Sequence, residues 1–338
     1  MTAVLKYRKY ELKRILIVLL LAFLTVVMVV VSVFMGSSGT GFKEVLTGLT
    51  DKGSSDYMIL WELRIPRIVM AVLVGWGLAL SGVASQISLR NPLASPFTLG
   101  VSSGAAFGAV LAIMYGASVP WIIAACAFAG AMLTTLAVLA IGRVKGASPE
   151  AFILSGVALM FLFSALTSLM QYTATLQQVQ AVVFWMFGSL ANSTWNQIGI
   201  TAAFAVLPSV WFMRRAWDFN MMIESDETAR ACGINTGRLR FTAMMLAALM
   251  CASSICFTGV IGFIGLVSPH ISRLLLGSDH RFLFPASGLV GAILVITADT
   301  AGRTLWNPQV IPLGIMTSFI GVPFFLWLIL KKRMGGHI

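Results

Sequence analysis

The stretch best equipped for polar chemistry is Ile223–Arg240, IESDETARACGINTGRLR. It sets three acids (Glu224, Asp226, Glu227) and three arginines (Arg230, Arg238, Arg240) between two long apolar runs. Asp226 can cap a short helix, and Gly233 can end it in the left-handed conformation that other residues avoid. Asn235 and Thr236 can then cap the next long helix. These residues suit recognition rather than catalysis. A short helix carrying both signs of charge, held between two apolar spans, is a handle for a partner outside the membrane.

Other chemistry is sparse. No G-x-x-x-x-G-K-[ST] loop occurs, so the chain has no means of hydrolysing ATP itself. There is no H-E-x-x-H and no serine nucleophile elbow. His270, His280 and His337 lack metal-ligand spacing, as do Cys126, Cys232, Cys251 and Cys256, which read as small buried hydrophobes. No metal site and no resident cofactor is expected. Among the acids only Asp299 falls clearly within an apolar span, and Arg303 stands four residues on, the favourable order for a helical ion pair. Pumps and ion-coupled carriers hold buried acids or histidines, so ion coupling has little to work with here. Arg64 and Arg67, in RIPR, flank Pro66. With Arg303 they support two readings. Arginines at a membrane edge snorkel to headgroups; they also form a basic dock, because the planar fork takes a carboxylate bidentately.

The elements that must position these residues are set by composition. Of 338 residues, 58% are hydrophobic and 10% charged, against roughly 25% charged in soluble proteins. So few charges cannot cover a soluble domain of this size. The chain is expected to be one integral membrane domain over residues 1–338, and its net charge of +11 belongs to loops rather than to a nucleic-acid surface. An apolar helix needs about 20 residues to cross a bilayer. Ile15–Phe34 meets this without a cleavage site and reads as a first span rather than a signal peptide. Gly36–Glu62 is a polar excursion, and Ile68–Leu89 is span two. Pro92–Gly142 is uncharged and too long for one crossing; a break at Tyr115–Pro120 divides it into spans three and four. Ala151–Met213 holds spans five and six around a polar linker, Gln171–Gln180. Span seven ends near Phe257. Beyond it Gly259, Gly262, Gly265 and Pro269 interrupt the apolar run, predicting a bend and an irregular span eight. Phe282–Arg303 and Ile311–Leu330 complete ten. Gly100, Gly104 and Gly108 fall four apart and form a smooth face for close helix packing.

With ten crossings, 18 of the 23 lysines and arginines share the side of the N-terminus, and five (Lys43, Lys52, Arg64, Arg67, Arg303) lie opposite. Positive charge stays inside, so both termini and the 223–240 segment are expected in the cytoplasm.

Five stretches, RIPRIVMAVLVGWGLALSG, RNPLASPFTLGVSSGAAFGA, DETARACGIN, GFIGLVSPHISRLLLGSDHR and GIMTSFIGVPFFLWLI, resemble in order the iron-chelate permease family. These are the membrane subunits of type II ABC importers for siderophores, haem, cobalamin and, in some members, molybdate. The resemblance runs from about Leu60 to Leu330. It implies an all-α fold of about ten transmembrane helices. It also implies a dimer, here expected to be a homodimer, with its pathway on the two-fold axis. Two cytoplasmic P-loop ATPase subunits would bind MgATP, and a periplasmic or lipid-anchored substrate-binding protein would dock outside, in a bacterial or archaeal inner membrane. Asp226–Ile234 matches the family's coupling helix, so Glu224, Asp226, Glu227, Arg230, Gly233 and Asn235 become ATPase contacts. Arg64, Arg67 and Arg303 match its docking arginines. Ser148 and Pro149, and the linker with Gln171 and Gln178, fall where the family places gating elements. Irregular backbone at membrane depth is tolerated only against protein or a water-filled cavity, which adds Gly259, Gly262, Gly265 and Pro269 to the pathway candidates. The expected function is alternating-access import of a metal chelate, a ferric siderophore first, with haem, cobalamin or molybdate/tungstate as alternatives. An ion-coupled carrier would need a buried titratable pair. A membrane enzyme acting on lipid or prenyl substrates would need an acid cluster such as D-x-x-x-D, which is missing.

Overall fold

The computed structural model describes residues 2–35, 42–51, 53–117, 119–145, 148–306 and 309–334. Among them all regular structure is helical. The elements are α1 (Thr2–Phe34), α2 (Phe42–Thr50), α3 (Ser55–Met58), a π-helical turn (Ile59–Arg64), α4 (Ile65–Ser88), α5 (Val101–Met114), α6 (Pro120–Val144) and α7 (Pro149–Thr173). Next come α8 (Leu176–Phe187), α9 (Trp195–Arg214), α10 (Ala216–Glu224), α11 (Asp226–Ala231), α12 (Thr236–Thr258), α13 (Ile264–Leu276), α14 (His280–Thr304) and α15 (Leu313–Met334). Seven helices are long and apolar enough to cross a membrane, and α5, α13 and part of α15 are shorter apolar helices. Each of the ten expected spans is helical.

Three local departures from expectation have physical causes. The second span begins earlier than Ile68, because Ser55–Ser88 is one helical run. Within it Ile65 N–H reaches back to Leu60 O, a π turn directly before Pro66, which has no N–H to continue the α ladder. The linker Gln171–Gln180 is mostly helix. Only Ala174 and Thr175 interrupt it, and Thr175 with Gln178 forms a capping box that starts α8. Pro92–Gly100 is a series of turns, so α5 is short. The side chains of Lys6, Lys43, Lys52, Lys331, Lys332 and Arg333, which enter the charge asymmetry, lie outside the described residues, as does His337.

The centre of the bundle is α4, packed against α14, α12, α13 and α9. Lipid supplies no hydrophobic drive for helices to associate, so small residues that let backbones approach take over. A Cβ on Gly75 would overlap the Gly291 backbone of α14, and one on Gly82 would overlap the Gly265 carbonyl of α13. Gly104 and Gly108 do the same on α5 against Gly130 and Cys126 of α6. Gly100 stands just before α5 with φ +78°, against Gly156 of α7.

Gly82→Ala is expected to lower the thermal midpoint in detergent, at a cost of about 1–3 kcal/mol for overpacking. Gly199→Ala, inside α9 where no atom lies within 4 Å of the added methyl, is the control and keeps or slightly raises the midpoint. Equal midpoints for both would remove the tight-crossing account.

Candidate functional site

The charged stretch folds as a short helix anchored on one side and open on the other. Ser225, not Asp226, caps α11: its backbone is extended and its Oγ accepts from Thr228 N–H at 2.9 Å. That frees the Asp226 carboxylate, which accepts from Arg90 at 2.8 Å and from Arg240 at 3.2 Å. One acid therefore staples α11 to the turn after α4 and to α12. Ala229 is fully buried beneath the helix. Gly233 ends the segment with φ +82°, and Asn235 Oδ1 accepts from Arg238 N–H at 3.0 Å to start α12. Arg230 Nε donates to Thr236 Oγ1 at 3.3 Å. Glu224, Glu227, Arg230, Gly233 and Asn235 all remain exposed. The result is a fixed knuckle with charge on its outer face.

At the same end Asp279, the N-cap of α14, gathers three elements. It accepts from Arg14 of α1 at 3.1 Å, from Asn220 of α10 at 2.9 Å and from Arg281 at 2.7 Å. Arg281 also pairs with Glu11 at 3.3 Å and lies over the Trp217 ring at 4.3 Å. Burial by itself would raise the Asp279 pKa. The hydrogen bonds from Arg281 and Asn220, with the Arg281 charge, outweigh it and bring the carboxyl down to about 2.

At the opposite end the three arginines converge on Asp299 and on α1. Asp299 is 4% exposed. Arg67 engages both its oxygens through Nε and NH2, the shortest bond 2.8 Å. Arg303 Nε donates to Asp299 Oδ2 at 3.0 Å, its NH1 to Met35 O at 3.0 Å, and its NH2 to Ser32 Oγ at 2.9 Å. Arg303 is thus buried with all three nitrogens engaged inside the chain. Arg64 is buried too, with NH1 on Val33 O at 3.0 Å. The i, i+4 pair was legible in the sequence; the third partner, Arg67, comes from a helix 232 residues away. Of the three, Arg67 has the most exposed side chain, at 16%.

The gate candidates fall in two places. Ser148 caps α7 by accepting from Ala151 N–H at 3.2 Å, with Pro149 in the first turn. Gln171 lies in the last turn of α7, and Gln178 Nε2 donates to Met114 O at 3.0 Å, tying α8 to α5. Separately, the bend before α13 meets the end of α8 and the start of α15. Ser189 N–H donates to Thr258 O at 2.7 Å and Leu313 N–H to Gly188 O at 3.1 Å. The turn after α8 thereby joins the last residue of α12 to the first of α15. Gly259 has φ +71°. Gly262 has open space at its α-carbon, Gly265 begins α13 against Leu78, and Pro269 is buried within α13. Two non-glycine residues lie in the left-handed region, Arg90 at φ +48° and, in this bend, Phe263 at φ +67°, a costly conformation packed against Gly321. No residue-type signal marks it.

A family model described as the FecCD transport family matches residues 24–331. The chain belongs to the FecCD transport family. An ABC transporter permease protein of Methanocaldococcus jannaschii is 40% identical over 339 residues, 96% of this chain and 97% of the relative. The hemin transport system permease protein of Yersinia pestis is 34% identical over 323 residues, 93% and 96% of the two chains. A solved structure described as an inward-facing conformation of a metal-chelate type ABC transporter matches with a TM-score of 0.83 and 34% identity, covering 93% of this chain and 99% of that one. This FecCD chain is therefore a multi-pass membrane permease subunit of the ABC class, in which ATP hydrolysis belongs to a separate ATPase subunit. Among its described residues no three His, Cys, Asp or Glu side chains gather as a metal site.

The FecCD permease's Asp279 cluster carries a pH signature. Its folded pKa, about 2, lies below the ordinary aspartate value of about 4. Its stabilisation is then complete above pH about 5 and is lost as pH falls through 4 toward 2. The gap in thermal midpoint between wild type and Asp279→Asn is expected to stay constant from pH 7 to 5 and to close below pH 4. A gap independent of pH down to 3 would refute the depressed carboxyl.

Proposed function

We propose that the chain is the membrane pathway of an ATP-driven importer for a ferric chelate, and that α11 is its grip for the ATPase. The observation that carries this is the exposed charged knuckle stapled to the bundle through Asp226, on a chain with no nucleotide loop of its own. Nucleotide-driven motion of the ATPase would pull on α11, and the packed helices would open a cavity to one side at a time. The family's cargo class and the metal-chelate structure support a ferric siderophore; the Yersinia pestis relative favours haem as the second reading. The basic-residue asymmetry supports a cytoplasmic position for the knuckle and both termini. A second copy of the chain completes the pathway, MgATP sits on the partner ATPase, and a binding protein delivers cargo to the far face.

Proteoliposomes holding this chain alone are expected to accumulate no chelate against a gradient. Adding the ATPase subunits and the cognate binding protein restores uptake. Uphill uptake by the chain alone would overturn the proposal. Ligand identification on that binding protein separates siderophore from haem.

Two sets of variants test the contacts. Glu227→Ala with Arg230→Ala is expected to cut uptake per ATP hydrolysed by roughly tenfold while the protein still inserts, as loss of charged interface contacts does. Unchanged coupling would rule out α11 as the grip. At the far end, a binding-protein carboxylate is proposed to meet Arg67, the least buried of the three, with Arg64 and Arg303 holding the platform. Arg67→Gln should raise the half-saturating binding-protein concentration and also lower the thermal midpoint, since Arg67 pairs with both oxygens of buried Asp299. Arg303→Gln leaves Asp299 to Arg67 alone and should lower the midpoint by several degrees without changing that concentration. The reverse pattern would reassign the docking arginine.

A further inference from the structure

Two motif stretches, RNPL (90–93) and SRLLLGSDHR (272–281), have no role in the coupling scheme beyond the Arg90–Asp226 pair. The fold brings both to the end of α10, where they enclose an open cleft of about 310 Å³. Its walls include Gln86, Arg90, Met222, Glu224 and Arg273. The cations in it are not equivalent. Arg90 is paired with Asp226. Arg273 makes no ion pair among the described residues; its NH2 donates to Gln86 Oε1. Glu224 lines the same cleft yet pairs with neither arginine. Gln86 is 3% exposed, and with Oε1 turned to Arg273 its Nε2 has no partner.

We infer that this cleft is a second contact with the ATPase subunit and takes one of that subunit's acidic side chains. The inference rests on the coupling role proposed for α11. A guanidinium beside an amide N–H₂ offers only donors, and that set selects a carboxylate. A buried donor left unpaired is costly, so the site is incomplete as it stands. Ile87 and Met222 add apolar wall for the methylene stem of a glutamate. The mouth adjoins the coupling surface: Ile223 and Glu224 line the cleft and lead directly into α11, and Arg90 bridges to Asp226. A subunit that covers α11 also covers this opening.

The test uses the assembled permease and ATPase in nanodiscs. Arg273→Gln is expected to weaken their association roughly tenfold and to flatten its salt dependence, as removal of a charged contact does; Arg273→Lys restores part of both. Arg273→Glu should be rescued by lysine at one acidic position of the ATPase. If Arg273→Gln leaves affinity and salt slope unchanged while Glu227→Ala weakens association, the cleft contact is wrong and the α11 reading stands. If neither variant changes association, both fail. Arg273 variants that alter only the dependence on anionic lipid also overturn it, since a headgroup then fills the cleft. Should Arg273→Gln fail to insert, Gln86→Met keeps the cation and removes the amide donor. Weaker association then supports the contact, and unchanged association refutes it.

Discussion

Two shared carboxylates hold this bundle in register. Asp279 and Asp299 stand 20 residues apart at the two ends of α14, a separation of about 30 Å along a helix, which is the thickness of the hydrocarbon core. Each is shared by two arginines, and each cluster binds α1: Arg14 at one end, Ser32 and Met35 at the other. A buried charge in a medium this apolar must be paired and hydrogen-bonded. With so few acids in the chain, the place where a carboxylate stands decides which helices can meet there. The apolar surfaces between the clusters discriminate poorly, since lipid is as good a neighbour as another helix.

Between those ends the glycine crossings do the rest. Gly75 on Gly291 and Gly82 on Gly265 bring α4 against α14 and α13 at backbone distance. Ridges at such crossings cannot slide without collision, so α4, α13 and α14 pack as one block, with α1 fastened to it by charge. The helices outside that block differ. α7 and α8 bury few of their side chains within the chain, and their apolar faces are left for lipid or another subunit.

Spans were legible because uncharged runs long enough to cross a bilayer are rare by chance, and Asn235, Gly233 and the Asp299–Arg303 pair were legible because their signals are local. The features that could not be read share one physical character: they depend on atoms distant in sequence. Arg67 on Asp299, Arg90 on Asp226 and Arg14 on Asp279 are pairings among many possible ones. Local residue types put Asp226 at the cap of α11. Ser225 stands one place earlier with a hydroxyl equally able to cap, and the choice between them was made by Arg90 and Arg240, which needed the carboxylate. By residue type alone Arg64, Arg67 and Arg303 form an equivalent set. Their inequality arises from burial, since Arg303 spends every nitrogen internally and Arg67 does not.

The same pattern constrains how the chain can move. α10 is fastened to α14 through Asn220 and Asp279, and α11 to the turn after α4 through Asp226 and Arg90. A displacement of α11 would therefore act on α4 and α12 through these bonds. Deformation must occur where helical hydrogen bonding is already broken. Two such places are Ala174–Thr175, between α7 and α8, and Gly259–Phe263, before α13. Since α13 is only 13 residues long, about 20 Å, the second break lies within the apolar core. Beside it Thr258 O, at the end of α12, accepts from Ser189 N–H, and Gly188 O accepts from Leu313 N–H at the start of α15, so the turn after α8 links the ends of α12 and α15 next to the break. The left-handed Phe263 sits at that junction, where backbone strain is already stored.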